Sequence, residues 1–220
     1  MITYLDNIDQ QVTMAINGLN SGYMDQAMWM ISSLFSWVLL LIAFLWILRN
    51  KGWRGAIVAV VAVALTILII DQLTSGFIKP TVARLRPSHN PVLEATIHLV
   101  NGYQGGMYGF VSGHSANSFG VALIISLMVR YRPAMLAMIL WAMLQCYSRM
   151  YLGVHYLGDI FCGTVLGLLV AWGVYWLLRF LYRRFSAFPA IPTFNRNDGQ
   201  MIVASVAVTI LTIFIIAIFI

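Results

Sequence analysis

His155 and Asp159 stand four residues apart within Ser148-Arg149-Met150-Tyr151-Leu152-Gly153-Val154-His155-Tyr156-Leu157-Gly158-Asp159, a stretch set between two apolar runs. The whole chain holds seven acids and four histidines, so ionisable groups gathered at a membrane boundary are costly unless they have chemistry to do. If Gly153 ends one helix and His155 opens the next, the spacing puts imidazole and carboxylate on one face. Asp159 would then hold the proton of one ring nitrogen and leave the lone pair of the other exposed, which describes an oriented nucleophile or base. Arg149 nearby points to an anionic substrate.

Two other clusters carry related chemistry. In Lys79-Pro80-Thr81-Val82-Ala83-Arg84-Leu85-Arg86-Pro87, one lysine and two arginines at the mouth of an apolar run can surround phosphate oxygens, the lysine as a point charge and each arginine as a planar fork. Taken alone, they could equally snorkel to lipid headgroups. Ser112-Gly113-His114-Ser115 precedes another apolar run, where a helix start aims backbone N–H groups and the positive end of its dipole outward. His114 could donate a proton to a leaving oxygen from there. Taken alone, this is an ordinary serine N-cap beside an incidental histidine.

The elements that must position these groups are helices in a bilayer. With 220 residues, 61% hydrophobic and 9% charged, the chain reads as a single integral membrane domain spanning residues 1–220, with its motif core at 71–160. Cys146 and Cys162 lie in apolar segments without metal-ligand spacing and read as packing residues. A cleavable leader is not expected, since Asp6 and Asp9 occupy the place of a positive n-region. The net charge of +6 comes from basic residues scattered over short loops, the pattern of the positive-inside rule rather than of a nucleic-acid binder.

Residues 3–19 predict a short helix lying in the membrane interface. Six apolar spans follow, at about Gln26–Leu48, Gly55–Ile78, Gly113–Val129, Ala134–Tyr151, His155–Leu178 and Met201–Ile220, the first of them long enough for a hydrocarbon core of about 30 Å. The expected fold is therefore all-α, a bundle of six transmembrane helices. Proline and glycine crowd the longest polar stretch, residues 79–111. The turns after spans one, three and five hold Arg49, Lys51, Arg54, Arg130, Arg132, Arg179, Arg183, Arg184 and Arg196, which marks that side as cytoplasmic. The other four basic residues, Lys79, Arg84, Arg86 and Arg149, fall on the opposite side with all three motifs, and an anionic ligand gives a reason for their exclusion. Six spans would leave both termini on that outer face.

Lys79-x6-Arg86-Pro87, Ser112-Gly113-His114 and Ser148-Arg149-x5-His155-x3-Asp159 together resemble the three-part signature of the type 2 phosphatidic acid phosphatases, a superfamily that includes soluble haloperoxidases and bacterial acid phosphatases. The resemblance covers about residues 5–178. One departure is Val111, where the family usually has proline before the serine. The resemblance implies that His155 attacks phosphorus to form a phosphohistidine, with Asp159 fixing its tautomer. It implies that His114 protonates the leaving oxygen and then activates water, while Lys79, Arg86, Arg149, Ser112 and the Gly113 amide stabilise the equatorial oxygens. Arg84 and Ser148 would support from further out, and Asp71 would salt-bridge a motif cation. Two displacements on a histidine need no metal, and no carboxylate cluster is in view to hold magnesium, so no metal or other cofactor is expected.

The implied activity is a bacterial inner-membrane lipid phosphatase with its site on the periplasmic face. Its substrate would be a membrane lipid phosphate: undecaprenyl pyrophosphate, narrowly preferred, then lipid A, phosphatidylglycerophosphate or phosphatidic acid. The bilayer and that lipid are the expected partners, with no nucleic acid and no obligate protein partner. The alternatives are a lipid phosphotransferase and a non-enzymatic lipid-phosphate binder; a haloperoxidase fits poorly with six spans. His89 and His98 read as surface groups, and Tyr103, Met107, Tyr108 and Phe110 as residues that could shape a lipid entrance.

Overall fold

A computed structural model describes residues 2–220, with side-chain surroundings from Asp6 onward. Among these residues the protein is all-α: α1 Ile2–Asn17, α2 Gly22–Ser32, α3 Phe35–Leu48, α4 Trp53–Asp71, α5 Lys79–Val82, α6 Gly113–Val129, α7 Arg132–Tyr151, α8 Leu157–Arg184 and α9 Arg196–Ile216. The only β pairing among them is one isolated bridge, Leu85 with Tyr108. Three helical runs are long and apolar enough to cross a membrane, Trp53–Val82, Leu157–Arg184 and Arg196–Ile216, which makes this an integral membrane protein.

The expected first span, Gln26–Leu48, is two helices that meet at 42°. Ser33 breaks the run by turning both its backbone N–H and its hydroxyl onto the Met30 carbonyl, while the Ser36 hydroxyl donates to the Ser33 carbonyl. The second span extends past its expected end at Ile78. Pro80 has no N–H to donate, and the helix accommodates it through a wide π-helical stretch, Gln72–Ile78, before closing at Ala83 with φ +50°. The expected N-terminal helix exists as α1, with polar residues turned onto the protein: Asp9, Thr13 and Asn17 are buried. Asn17 donates to the carbonyls of His98 and Tyr151, pinning α1 to the loop and to α7.

The main core lies between α3, α4, α6, α7, α8 and α9, with Phe44, Ile124, Met138, Trp141, Tyr175 and Ile202 among its buried members. Its tightest seam joins α6 to α8. A Cβ on Gly167 would stand 2.1 Å from the Ala116 carbonyl oxygen, and one on Gly163 would stand 2.5 Å from that of Ser112. Backbones approach this closely only through small residues, the usual device where lipid supplies no hydrophobic drive between helices. The seam sets the N-terminal ends of α6 and α8 side by side, and those ends carry two of the three motifs. The C-terminal end of α9 belongs to the same end of the bundle, because Ile213 and Ala217 pack with Ala27 and Tyr151. Lys51 and Asp198 close the far end with an ion pair.

Candidate functional site

The site is built around His155, which is 1% exposed in the turn between α7 and α8. Gly153 makes that turn with φ +69°, a conformation open to glycine, and a Cβ there would meet Ile97 at 2.8 Å. The expected geometry needs one correction: His155 does not open α8. It precedes the N-cap Tyr156, whose backbone N–H donates to Asp159 Oδ2 at 3.1 Å from the third helical position. The same oxygen lies 3.3 Å from His155 Nδ1. A capping carboxylate reaching back out of the helix thus achieves the pairing that a shared helical face was expected to give.

The other ring nitrogen settles the tautomer. Arg86 Nη1 approaches His155 Nε2 at 3.1 Å, and a guanidinium can only donate, so Nε2 carries the lone pair and Nδ1 the proton facing Asp159. Burial first, then the charges of Arg86, Arg149 and Lys79, hold the His155 imidazole well below its ordinary 6.5, so it rests neutral.

Behind this pair stands Arg84. Its Nη1 donates to Asp159 Oδ1 at 2.9 Å, and its Nη2 donates to Asp6 and Asp9 at 2.8 Å each. Burial works against its charge, but the hydrogen bond to Asp9 and the charge of Asp159 outweigh it and raise its pKa. Arg84 is therefore occupied by three carboxylates and braces Asp159. Asp9 also accepts from the Gly158 N–H at 2.7 Å, so α1 is fastened to the start of α8.

Arg86 and Arg149 are buried at 7% and 3% exposure, and neither makes an ion pair among the described residues. Arg86 donates to the Val154 carbonyl; burial first, and then the charge of Arg149, lower its pKa. Arg149 donates to the Ser32 hydroxyl at the α2–α3 break and reaches the Tyr103 hydroxyl at 3.5 Å. The Nε atoms of both arginines are buried without a partner, orphan donors that an anion could satisfy. Lys79 joins them from α5, its Nζ 3.8 Å from where a Cβ on Gly113 would lie.

Ser112 caps α6, its hydroxyl accepting from the Ser115 N–H while its own N–H donates to the Asp159 carbonyl at 3.0 Å. The Gly113 and His114 amides precede the first intrahelical bond of α6. His114 and His155 both lie within electrostatic reach of Lys79, Arg86 and Arg149, and of each other. The three motifs, separated by up to 80 residues, therefore converge. His114 also opens onto an apolar cavity of ≈340 Å³ between α3, α4 and α6, walled by Leu34, Trp37, Phe44, Ile67 and Val121.

Two expected supporters make no direct bond to the cluster. Asp71 is exposed and accepts from Asn117 Nδ2 at 2.8 Å, without an ion pair, while its charge still reaches Lys79. The Ser148 hydroxyl donates to the Gln145 carbonyl within its own helix at 2.7 Å. His98 is half-buried rather than a free surface group, and pairs with Asp25 at 2.8 Å. His89 is half-buried, with Nε2 3.4 Å from the Gly105 carbonyl. Among the described residues no three His, Cys, Asp or Glu side chains gather as a metal site would require.

Three contributors went unseen in the sequence. Ser32 anchors Arg149, and its backbone also lies beside His114. Gly105 and Gly109 lay the outer loop directly over the site: a Cβ on Gly105 would stand 3.0 Å from Arg86 Nη1, and one on Gly109 would stand 2.8 Å from Asp159 Oδ2. The clustered glycines of residues 102–109 were the available signal.

Known proteins resemble this chain in sequence and in fold. The chain is 38% identical over 195 residues to a lipid A 4′-phosphatase of Bacteroides thetaiotaomicron, covering 87% of this chain and 86% of that protein. It is 39% identical over 184 residues to a lipid A 4′-phosphatase of Porphyromonas gingivalis, covering 82% and 76% respectively. The fold is shared with the crystal structure of a transmembrane PAP2-type phosphatidylglycerolphosphate phosphatase from Bacillus subtilis, with a TM-score of 0.60, 23% identity, and coverage of 83% of this chain and 90% of that one. The family model of the PAP2 superfamily matches residues 59–183, a segment that contains every motif residue assembled around His155, and the chain belongs to that superfamily.

Proposed function

We propose that this membrane phosphatase removes the 4′-phosphate of lipid A through a phosphohistidine on His155. The observation that carries the chemistry is the environment of His155 Nε2: a neutral imidazole, oriented from behind by Asp159, faces two buried arginines whose Nε atoms lack partners. In this reading Nε2 attacks phosphorus while His114 gives its proton to the departing sugar oxygen. His114 then takes a proton from water, whose oxygen attacks phosphorus; the P–N bond breaks, inorganic phosphate leaves and His155 is restored. Lys79, Arg86, Arg149 and the α6 N-terminus carry the charge on the non-bridging oxygens in both steps.

Two relatives near 40% identity that carry the name lipid A 4′-phosphatase favour lipid A over undecaprenyl pyrophosphate, the substrate preferred from the motifs alone. The apolar cavity beside His114 supports a substrate whose acyl chain stays in the bilayer while its phosphate meets the cations. We read the whole chain as one domain of six crossings, α2 with α3, α4 with α5, then α6, α7, α8 and α9. We place the site at the periplasmic face of a bacterial inner membrane, as the nine basic residues at the other end support.

The test is purified enzyme with bis-phosphorylated lipid A, and mass spectrometry of the products with and without EDTA. Loss of one phosphate from the distal sugar, retained in EDTA and abolished in His155→Ala, is the expected result. Removal of the other phosphate, a requirement for magnesium, or undiminished turnover by His155→Ala would overturn the reading.

A further inference from the structure

At the end of the bundle away from His155, a second cavity of ≈460 Å³ lies between the C-terminal ends of α6 and α8 and the segment 190–194. Three arginines line it, Arg130, Arg179 and Arg183, and no carboxylate does. Arg179 and Arg183 are one turn apart on the same face of α8. The nearest acid in that part of the chain, Asp198, is already taken by Lys51. Among the described residues, none of the three arginines has an ion-pair partner.

The positive-inside rule accounts for basic residues at this end, but not for how these are held. Arg130 and Arg183 are exposed, but Arg130 is also oriented by the protein: it sits at the left-handed C-cap of α6, φ +52°, and turns its guanidinium across to α8, where Nη2 donates to the Tyr175 hydroxyl at 2.7 Å. Arg179 lies over the rings of Tyr175 and Trp176, 5.8 Å and 5.1 Å from their centroids. Ring stacking orients a guanidinium while leaving its edge donors available for another partner. Trp172, Trp176 and Tyr182 are exposed along the same end of α8, residue types that favour the headgroup level of a bilayer. Leu127, Val129, Ile191 and Phe194 supply apolar wall beside them.

We propose that this cavity binds the phosphate headgroup of an anionic phospholipid from the leaflet opposite the catalytic site. The guanidinium forks would take the phosphodiester oxygens, and the acyl chains would lie along the apolar wall. Inorganic phosphate offers the same oxygens without the chains, so both are tested.

Purified protein in a neutral detergent is titrated with dioleoylphosphatidylglycerol, with dioleoylphosphatidylcholine, and with sodium phosphate, following Tm. The phosphatidylglycerol should raise Tm well above the other two. In the triple variant R130Q/R179Q/R183Q, half-maximal response should need on the order of 100-fold more of it, from roughly fivefold per arginine. Thr193→Asp puts a carboxylate on an exposed rim position without removing any cation, and should suppress the response in a chain that folds normally. Equal responses to phosphatidylglycerol in wild type and Thr193→Asp would overturn the proposal, as would full reproduction of the shift by inorganic phosphate. Both variants should keep wild-type turnover of lipid A in neutral detergent. Failure of the wild type to dephosphorylate lipid A would sink the proposed function and leave the titration standing.

Discussion

At the level of single residues, the site depends on what holds each nitrogen of His155. Asp159 takes Nδ1–H and is itself gripped by Arg84 and the Tyr156 amide, so removing its charge while keeping its shape should leave a folded enzyme with a misdirected imidazole. Asp159→Asn is expected to lower kcat by roughly 10²–10⁴ with little change in KM, by analogy with the orienting carboxylate of the serine-protease triad. Steady-state kinetics on lipid A check it, and a change confined to KM would contradict the positioning role. A second expectation concerns pH. The folded pKa of His155 lies well below 6.5, the value the unfolded chain would show, so the unfolded state binds more protons between the two. The stability tied to neutral His155 is thus fully present above 6.5 and lost as pH falls below it, by up to about 1.4 kcal/mol per unit. His155→Gln removes that titration. The Tm of wild type should fall faster than that of the variant as pH drops from about 7 to about 5, and parallel curves would refute the burial argument.

At the level of helices, the proposed site rests on the α6–α8 seam. The Ser112–His114 turn and the His155–Asp159 turn belong to elements in backbone contact at Gly163 and Gly167. Gly167→Ala would force a Cβ against the Ala116 carbonyl oxygen and prise the two helix starts apart. It should cost roughly 1–3 kcal/mol of stability and lower kcat as well. Gly173→Ala, on the same helix where an added Cβ meets nothing within 4 Å, is the control and should be neutral or slightly stabilising. Thermal unfolding and turnover on the same samples decide it. Much of this was legible beforehand. Apolar runs located every long helix, and motif spacing named His114, His155, Arg86 and Arg149, because periodicity and residue type report local structure. What periodicity cannot report is which distant backbone covers a site or which far-off acid occupies a cation. The role of Arg84 depended on Asp6 and Asp9, 78 and 75 residues away. Asp71 was expected to salt-bridge a motif cation; it bonds the Asn117 amide instead, and its charge reaches Lys79 only at longer range. The break at Ser33 came from serine side chains competing for helix carbonyls, a preference that an apolar average over Gln26–Leu48 conceals.

At the level of the whole molecule, the two ends of the bundle differ in charge for different reasons. The far end carries nine of the thirteen basic residues, the cytoplasmic signature, while the site end carries four, all within the motifs. The chain's own contacts put the start of α2 and the end of α9 at the site end: the Ser21 N–H donates to the Tyr151 hydroxyl and the Tyr23 hydroxyl to the Phe214 carbonyl, while Lys51 after α3 meets Asp198 of α9 at the other end. Ala95 in the loop near the site and Ser186 after α8 are both exposed and should face opposite compartments. Cys146 is buried and Cys162 half-buried, and replacing both with alanine gives a background free of thiols. Single cysteines at the two positions, treated with a membrane-impermeant maleimide on intact cells, should react at Ala95→Cys and stay protected at Ser186→Cys until the membrane is permeabilised. Protection at Ala95→Cys would put the phosphate site on the cytoplasmic side, where it would meet newly made lipid A rather than lipid A already carried across. The same result would move the three-arginine cavity to the outer leaflet, so this one measurement fixes the compartment of both sites.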